Sequence, residues 1–267
     1  MIAVVGLGNL GLAFALRLKE SAGETVGVDP DSLARAAFES KGGVTAPTLR
    51  SLEWDQVHTV FVLVRTVAQA RDVVGEVESL SRVNTGDLRV FVVTTMDPKA
   101  AEQLRSDTDL RVLESPISGG SDGTLAGRLT VLLGGPVRPE DVTFLRSTVA
   151  GNVVVFAELG QASFAKLINN AVMAANAIVV ADAIEVARCQ GLDPAAFHTV
   201  LSVSSGGSRA AEKFRRLDAP LLEKDAYLLA DAGADTPWPP LWTTLVDRAQ
   251  GLTAHLARAR TWLERAE

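Results

Sequence analysis

One amine and two amides, Lys166, Asn169 and Asn170, stand close together in Gly160-Gln161-Ala162-Ser163-Phe164-Ala165-Lys166-Leu167-Ile168-Asn169-Asn170. Lys166, Asn170 and Met173 follow spacings of four and three, so on an α-helix they share a face, and Asn169 and Asn176 run along one edge of it. The rest of the helix is rich in Ala, Val, Ile and Leu, and a polar stripe on such a helix faces a cavity or another polar surface. A lysine in a partly desolvated cleft, its pKa lowered toward neutrality, can exchange a hydroxyl proton, with Asn170 one turn away holding lysine and substrate in register. A surface lysine with amides that cap or bridge helices fits the same residues, and this segment alone leaves both readings open.

A second constellation stands at Val4-Val5-Gly6-Leu7-Gly8-Asn9-Leu10-Gly11. Ile2 to Val5 is a short apolar run ending in the glycines, and Leu10 to Leu18 carries apolar residues at helical spacing, so the glycines close a strand and open a helix. Gly6 permits the tight turn, Gly8 lets backbone approach a pyrophosphate, and Gly11 allows helix to pack closely on strand. The helix N-terminus then points free N–H groups at the phosphates, which makes Gly6, Gly8, Asn9, Leu10 and Gly11 the cofactor loop. The next strand, Thr25 to Val28, ends at Asp29, placed to accept hydrogen bonds from the adenosine ribose hydroxyls. A 2′-phosphate there meets like charge, so the expected cofactor is NAD rather than NADP; Arg35 is the residue best able to reverse that preference. Glycines that only make a tight turn are the alternative.

The elements that must position these residues fall into two regions. Through the first half, strands alternate with helices: a helix over residues 32–40, a short strand around Val44, then strands over 58–64, 89–95, 111–113, 129–133 and 153–156. The alternation predicts a Rossmann-type doubly wound parallel sheet with antiparallel strands at one edge. Beyond Gly160 the pattern is helical, with a long helix over 161–189 and another over 194–203, where Asp193 is placed as N-cap and Pro194 at the first helical position. The expected organisation is α/β followed by all-α: residues 1–157 as the NAD(P)-binding domain and 158–267 as a helical substrate and dimerisation domain.

At 267 residues the chain is long enough for two cores. A net charge of −6 and a pI near 5.2 leave no basic surplus to displace counterions, so no nucleic-acid partner is expected. The lone Cys189 and three scattered histidines, His58, His198 and His255, predict neither an intramolecular disulfide nor a metal site. The first residues show no export signal, and the apolar run from Ala171 to Ile184, interrupted by Asn176 and Asp182, is too short to span a bilayer. A cytoplasmic protein without a membrane partner is the expectation. The long helix and the segment around Trp238 and Trp242 suit burial against a second subunit, with a homodimer as the default.

Five blocks in order resemble the β-hydroxyacid dehydrogenase family, which includes 3-hydroxyisobutyrate dehydrogenases, tartronate semialdehyde reductases and, more distantly, 6-phosphogluconate dehydrogenases. Gly6 to Gly11 matches the cofactor loop, and Thr94-Thr95-Met96-Asp97-Pro98 resembles S-T-x-D-P. Glu114-Ser115-Pro116-Ile117-Ser118-Gly119-Gly120 resembles D-A-P-V-S-G-G and continues through the glycine-rich run to Gly135. Lys166 to Asn170 matches K-x-x-N-N, and Lys224-Asp225 with Leu228 resembles part of K-D-L-x-L-A. The resemblance implies that Ser118, Gly119 and Gly120 bind the substrate carboxylate, Lys166 is the general acid/base, Asn170 contacts substrate, and Lys224 lies near nicotinamide or substrate. Val64, Arg65 and Thr95 fall on the cofactor side. Two glycines exposing N–H groups beside a serine hydroxyl are, independently, a suitable nest for a small anion.

The departures are Ala162 for the second glycine of G-x-G-x-x-x-K, Val64-Arg65-Thr66 where many members have L-P-T, Ala226 and Leu229 within the last block, and a shortened C-terminal region. The reading is a reversible NAD-dependent oxidoreductase transferring hydride between nicotinamide and a small 3-hydroxy acid or its semialdehyde or keto counterpart. Its rivals are a reductase of a different carbonyl or imine in a specialised biosynthetic pathway, and a noncatalytic NAD-binding protein.

Overall fold

The computed structural model describes residues 1–81, 88–234 and 237–264, and these divide into two compact units, 1–166 and 167–267. In the first unit the strands are β1 (Ile2–Val5), β2 (Thr25–Val28), β3 (Val44–Ala46), β4 (Thr59–Val62), β5 (Arg89–Val92), β6 (Arg111–Glu114), β7 (Ile117–Ser118), β8 (Leu129–Gly134) and β9 (Ala150–Phe156). The helices between them are α1 (Asn9–Ala22), α2 (Ser32–Glu39), α3 (Val67–Leu80), α4 (Pro98–Ser106), α5 (Gly120–Leu125) and α6 (Pro139–Thr148).

The sheet runs β3-β2-β1-β4-β5-β6-β8-β7, with β9 also paired to β8. From β3 to β6 every pairing is parallel. β8 then runs antiparallel to β6 and β7, the expected antiparallel edge. Strand order reverses about β1, so the crevice outside the carboxyl ends of β1, β2 and β4 is the topological switch point where such sheets take ligands.

Both sheet faces are covered, which is why these strands read as continuous apolar runs. On one face Ile2, Val4, Phe61, Phe91 and Leu113 pack with Phe14, Leu18 and Leu145 from the helices. Phe61 and Phe91 stack there with ring centroids 4.8 Å apart. On the other, Val5, Val62, Val90 and Val92 pack with Ala70, Val74, Val77 and Leu104. Near the amino ends of β5 and β6 a buried charge cluster ties the sheet to α6. Asp141 accepts from Arg111 Nη1 at 2.6 Å, Arg111 Nη2 at 3.1 Å and Arg138 N at 2.9 Å, with Arg89 Nη1 at 3.5 Å. Burial pushes this carboxyl up, but the bonds from Arg111 and Arg138 outweigh it and hold the pKa below the usual carboxylate value.

β4 and β5 stop earlier than the apolar runs imply, because Leu63 to Arg65 and Val93 to Thr95 turn into loops. Thr94 Oγ1 donates to Val64 O at 2.8 Å and ties the two loops together.

The helix α7 (Gln161–Cys189) leads into α8 (Pro194–Val203), α9 (Arg209–Glu212), α10 (Ala219–Ala232), α11 (Pro240–Ala249) and α12 (Leu252–Glu264). The stop and restart at 191–194 forms as expected: Asp193 Oδ1 accepts from Ala196 N at 2.8 Å. The second core gathers Ala174, Ile178, Ala181 and Ile184 with Phe214, Leu222, Leu252 and Leu256. α7 covers the expected range 161–189. It continues well beyond the apolar run at 171–184, and by length and composition alone it is long enough to cross a membrane, with a window of mean hydropathy 1.6. Half of that window is buried, and its small-residue side builds the second core.

Candidate active site

The glycine loop sits at the switch point. Gly6 adopts φ 94°, and a Cβ there would meet Leu63 O at 2.4 Å, while one on Gly11 would lie 1.8 Å from Gly6 O. A Cβ on Gly8 would meet nothing within 4 Å. Gly8 is the N-cap of α1, with no side-chain cap and no acidic residue in the first turn. The three glycines thus divide as expected: two permit close packing, and the third leaves open space before a helix N-terminus suited to an anion.

A cleft of about 540 Å³ opens there, lined by Gly6, Gly8, Asp29, Val64, Arg65 and Gln69 among others. Asp29 is fixed from both sides: Oδ2 accepts from Leu7 N at 2.7 Å and Oδ1 from Asp31 N at 2.9 Å. Its carboxylate therefore joins the end of β2 to the glycine loop. Arg35 Nη1 donates to Asp29 O at 2.8 Å and Pro30 O at 3.0 Å, so its guanidinium is drawn onto backbone carbonyls of the same turn. Gln69 Oε1 accepts from Arg65 N at 3.0 Å and Thr66 N at 3.2 Å, and Gln69 N donates to Thr66 Oγ1 at 3.2 Å, a capping box that fixes Val64-Arg65-Thr66. The open glycine cradle, anchored acid and uncapped helix N-terminus fit a dinucleotide. A larger cavity, about 710 Å³, lies by Ser81, Asp107, Asp109 and Arg111 toward the amino ends of β5 and β6, away from every predicted site residue.

Asp97-Pro98 in the second motif proves to be helix punctuation: Asp97 Oδ1 accepts from Ala100 N at 2.9 Å, with Pro98 beginning α4. Thr95, just before, is half-buried in the loop after β5. Ser118 ends β7, and Gly119 and Gly120 follow with φ 137° and 65°, a left-handed pair that exposes backbone before α5. Thr95, Ser118, Gly119, Gly120, Lys166, Asn170 and Lys224 are not among the residues lining the glycine-loop cleft.

Lys166 stands in the second turn of α7 and is 8% exposed. The first turn is held by a residue the sequence offered only as part of a motif. Glu114, at the end of β6, accepts on Oε2 from Ser163 N at 3.1 Å and Ser163 Oγ at 2.6 Å. Before the helix, Gly160 adopts φ 82° against Pro98 and Glu102, where a Cβ would lie 3.1 to 3.2 Å from both.

In the second unit Asn170 is buried and donates through Nδ2 to Asp225 Oδ2 at 2.5 Å. Lys224 Nζ lies 3.1 Å from Asp225 Oδ1 and its side chain is 41% exposed. Asn170 and Lys224 are thus brought together through Asp225, which the sequence reading had not placed in the site. Its signal was adjacency to Lys224 in the last motif. Among the described residues no group of three or more His, Cys, Asp or Glu side chains is gathered so as to hold a metal.

A doubly wound sheet with this loop at its switch point defines a dinucleotide-binding architecture. Residues 1–149 match the NAD-binding domain of 6-phosphogluconate dehydrogenase, and 160–225 match the NAD-binding domain of NADP-dependent 3-hydroxyisobutyrate dehydrogenase. The chain belongs to the β-hydroxyacid dehydrogenase family and is a 3-hydroxyacid dehydrogenase-like oxidoreductase. It is 25% identical to the mitochondrial 3-hydroxyisobutyrate dehydrogenase of Pongo abelii, over 91% of this chain and 79% of that protein. It is 26% identical to L-threonate dehydrogenase of Escherichia coli K12, over 92% and 87%. An NAD-dependent L-serine dehydrogenase of Pseudomonas aeruginosa is 28% identical over 80% and 72%. Among solved structures, 3-hydroxyisobutyrate dehydrogenase from Salmonella typhimurium shares the fold at a TM-score of 0.81 and 24% identity, covering 95% of this chain and 94% of that one. Psf3 in complex with NADP+ and 2-OPP shares it at 0.82 and 21%, covering both chains fully.

Proposed function

We propose that the protein is a reversible NAD-dependent dehydrogenase of a small 3-hydroxy acid, or of the matching semialdehyde or keto acid, with Lys166 as general acid/base. The observation that carries this reading is Lys166 itself: an almost fully buried lysine on a helix whose first turn is pinned by Glu114 and which carries Asn170, bonded to Asp225, one turn beyond the lysine. A lysine held this far from solvent beside polar groups is one whose surroundings can set its proton affinity, which suits proton transfer.

Residues 1–157 form the cofactor domain in this reading and 158–267 the substrate and dimerisation domain. A bound nicotinamide dinucleotide supplies the hydride acceptor. Asp29 receives the adenosine ribose hydroxyls, and a carboxylate at this point disfavours a 2′-phosphate. Arg35, drawn onto the carbonyls of Asp29 and Pro30, leaves that preference standing. Ser118, Gly119 and Gly120 hold the substrate carboxylate through hydroxyl and backbone N–H groups. Lys166 Nζ takes the substrate hydroxyl proton during oxidation and returns it during reduction, while Asn170 and Lys224 orient the polar end of the substrate. Holding the reacting groups in near-attack geometry supplies much of the acceleration. The related dehydrogenases named for 3-hydroxyisobutyrate, L-threonate and L-serine all bear names of small hydroxy carboxylates, which supports the substrate class.

The exposed residues Val172, Val179 and Val186 recur every seven positions along α7 and support a homodimer packed on that face. The free, exposed Cys189 accords with a cytoplasmic enzyme. The test is nicotinamide absorbance with NAD or NADP against a panel of small 3-hydroxy acids and aldehydes. Turnover faster with NAD than NADP supports the reading; binding of NADH without turnover of any panel member contradicts it.

A further inference from the structure

Glu114 is a buried carboxylate, 3% exposed, in the middle of the first unit, and the chemistry proposed above does not use it. Its Oε2 caps the start of α7 by accepting from both the backbone N–H and the hydroxyl of Ser163. Its Oε1 is buried with no hydrogen-bond partner among the described residues. That oxygen lies against Gly134 on β8, where a Cβ would come within 2.2 Å of it. The space left by the missing side chain of Gly134 is therefore filled by the carboxylate.

A plain structural cap does not demand this arrangement. Serine, threonine, aspartate or asparagine just before a helix satisfies its first N–H groups from within the local sequence. Here the acceptor comes from a strand 49 positions earlier, is an acid, and occupies a buried site where a neutral side chain avoids the cost of desolvating a charge. What the arrangement achieves is to bring an anion to the positive end of the helix that carries Lys166 three residues further on.

We propose that Glu114 is the positioning residue for Lys166: through Ser163 it fixes the first turn of α7, and its negative charge there favours the ammonium form of Lys166. The proposal rests on the reading of Lys166 as the proton-transfer group, but its test needs no substrate. Glu114→Gln keeps an oxygen that can accept from Ser163 and removes the charge; Glu114→Asp keeps the charge and shortens the reach.

The experiment is pH-dependent acetylation of the full-length protein with acetic anhydride, with Lys166 modification followed by mass spectrometry and NADH affinity measured alongside. The expected result is a labelling midpoint for Lys166 that moves to lower pH in Glu114→Gln, by about half a unit or more, because loss of a nearby opposite charge disfavours the ammonium. Glu114→Asp is expected to stay near wild type, with NADH affinity unchanged in both. An unmoved midpoint in Glu114→Gln, or an equal shift in Glu114→Asp, overturns the proposal. Should Glu114→Gln fail to fold, Ser163→Ala decides the positioning claim by amide exchange. Faster exchange over residues 161–166 with the sheet unaffected supports it, and unchanged exchange there overturns it. Absence of turnover on every panel substrate, with the labelling shift intact, removes the proposed reaction and leaves the coupling of Glu114 to Lys166 standing.

Discussion

Asn170 Nδ2 lies 2.5 Å from Asp225 Oδ2, and both side chains are buried. The carboxylate on α10 therefore fixes the amide one turn beyond Lys166 on α7, and through its other oxygen it holds Lys224. Asp225→Ala removes the acceptor of a buried amide N–H, which costs roughly 1–3 kcal/mol of stability. The melting temperature is expected to fall, and kcat on an active panel substrate to drop by about tenfold or more as Asn170 loses its orientation. Asp225→Asn, which still offers an oxygen, is expected to lose less of both. Equal losses in the two variants would remove Asn170 orientation as the reason.

Asp29 joins β2 to the glycine loop through Leu7 N and faces the cleft. Asp29→Ala is expected to weaken NADH binding and, by removing like charge near a 2′-phosphate, to narrow the preference for NAD over NADP. Titration of intrinsic fluorescence with NADH and NADPH checks this; an unchanged ratio of the two affinities contradicts the cofactor assignment.

Gly11→Ala places a Cβ 1.8 Å from Gly6 O, backbone against backbone, where neither can give way cheaply. Gly8→Ala meets nothing within 4 Å in the protein. The expected contrast is loss of thermal stability for Gly11→Ala, against near-normal stability with impaired NADH binding for Gly8→Ala. Thermal melts with and without NADH read both effects.

The buried Asp141 predicts the acid limb of stability. Its pKa is lowered in the folded protein, so its contribution is fully present above the unfolded-state carboxylate pKa and is lost as pH falls through the folded value. Asp141→Asn is expected to lower stability near neutral pH and to flatten the decline below about pH 4. Denaturant unfolding at neutral and acidic pH checks the sign. A variant that loses as much on acidification as wild type shows that another group carries the acid limb.

Much of the sheet was legible because strands buried on both faces leave apolar runs, and because Gly6, Gly8 and Gly11 mark the junction of β1 with α1. The two-residue β7 is too short to carry a period. The ends of β4 and β5 were overrun because Leu63 and Val93 remain apolar after the strand pairing has stopped. Lys166 and Asn170 were legible since i, i+4 spacing survives in sequence. Glu114 and Ser163 were not, since 49 positions separate them and only the folded sheet brings the carboxylate under the helix. The capping box of Thr66 and Gln69, by contrast, has a local signature in Thr66-x-x-Gln69, beside a motif position whose usual proline is absent.

The most direct test of the central claim is turnover of the panel by Lys166→Ala, with NADH affinity measured on the same preparation. The account predicts that turnover falls by a factor of about a thousand or more while NADH binds as in wild type. Turnover retained within about tenfold of wild type, or loss of NADH binding in parallel with turnover, would contradict the assignment of Lys166 as the proton-transfer group.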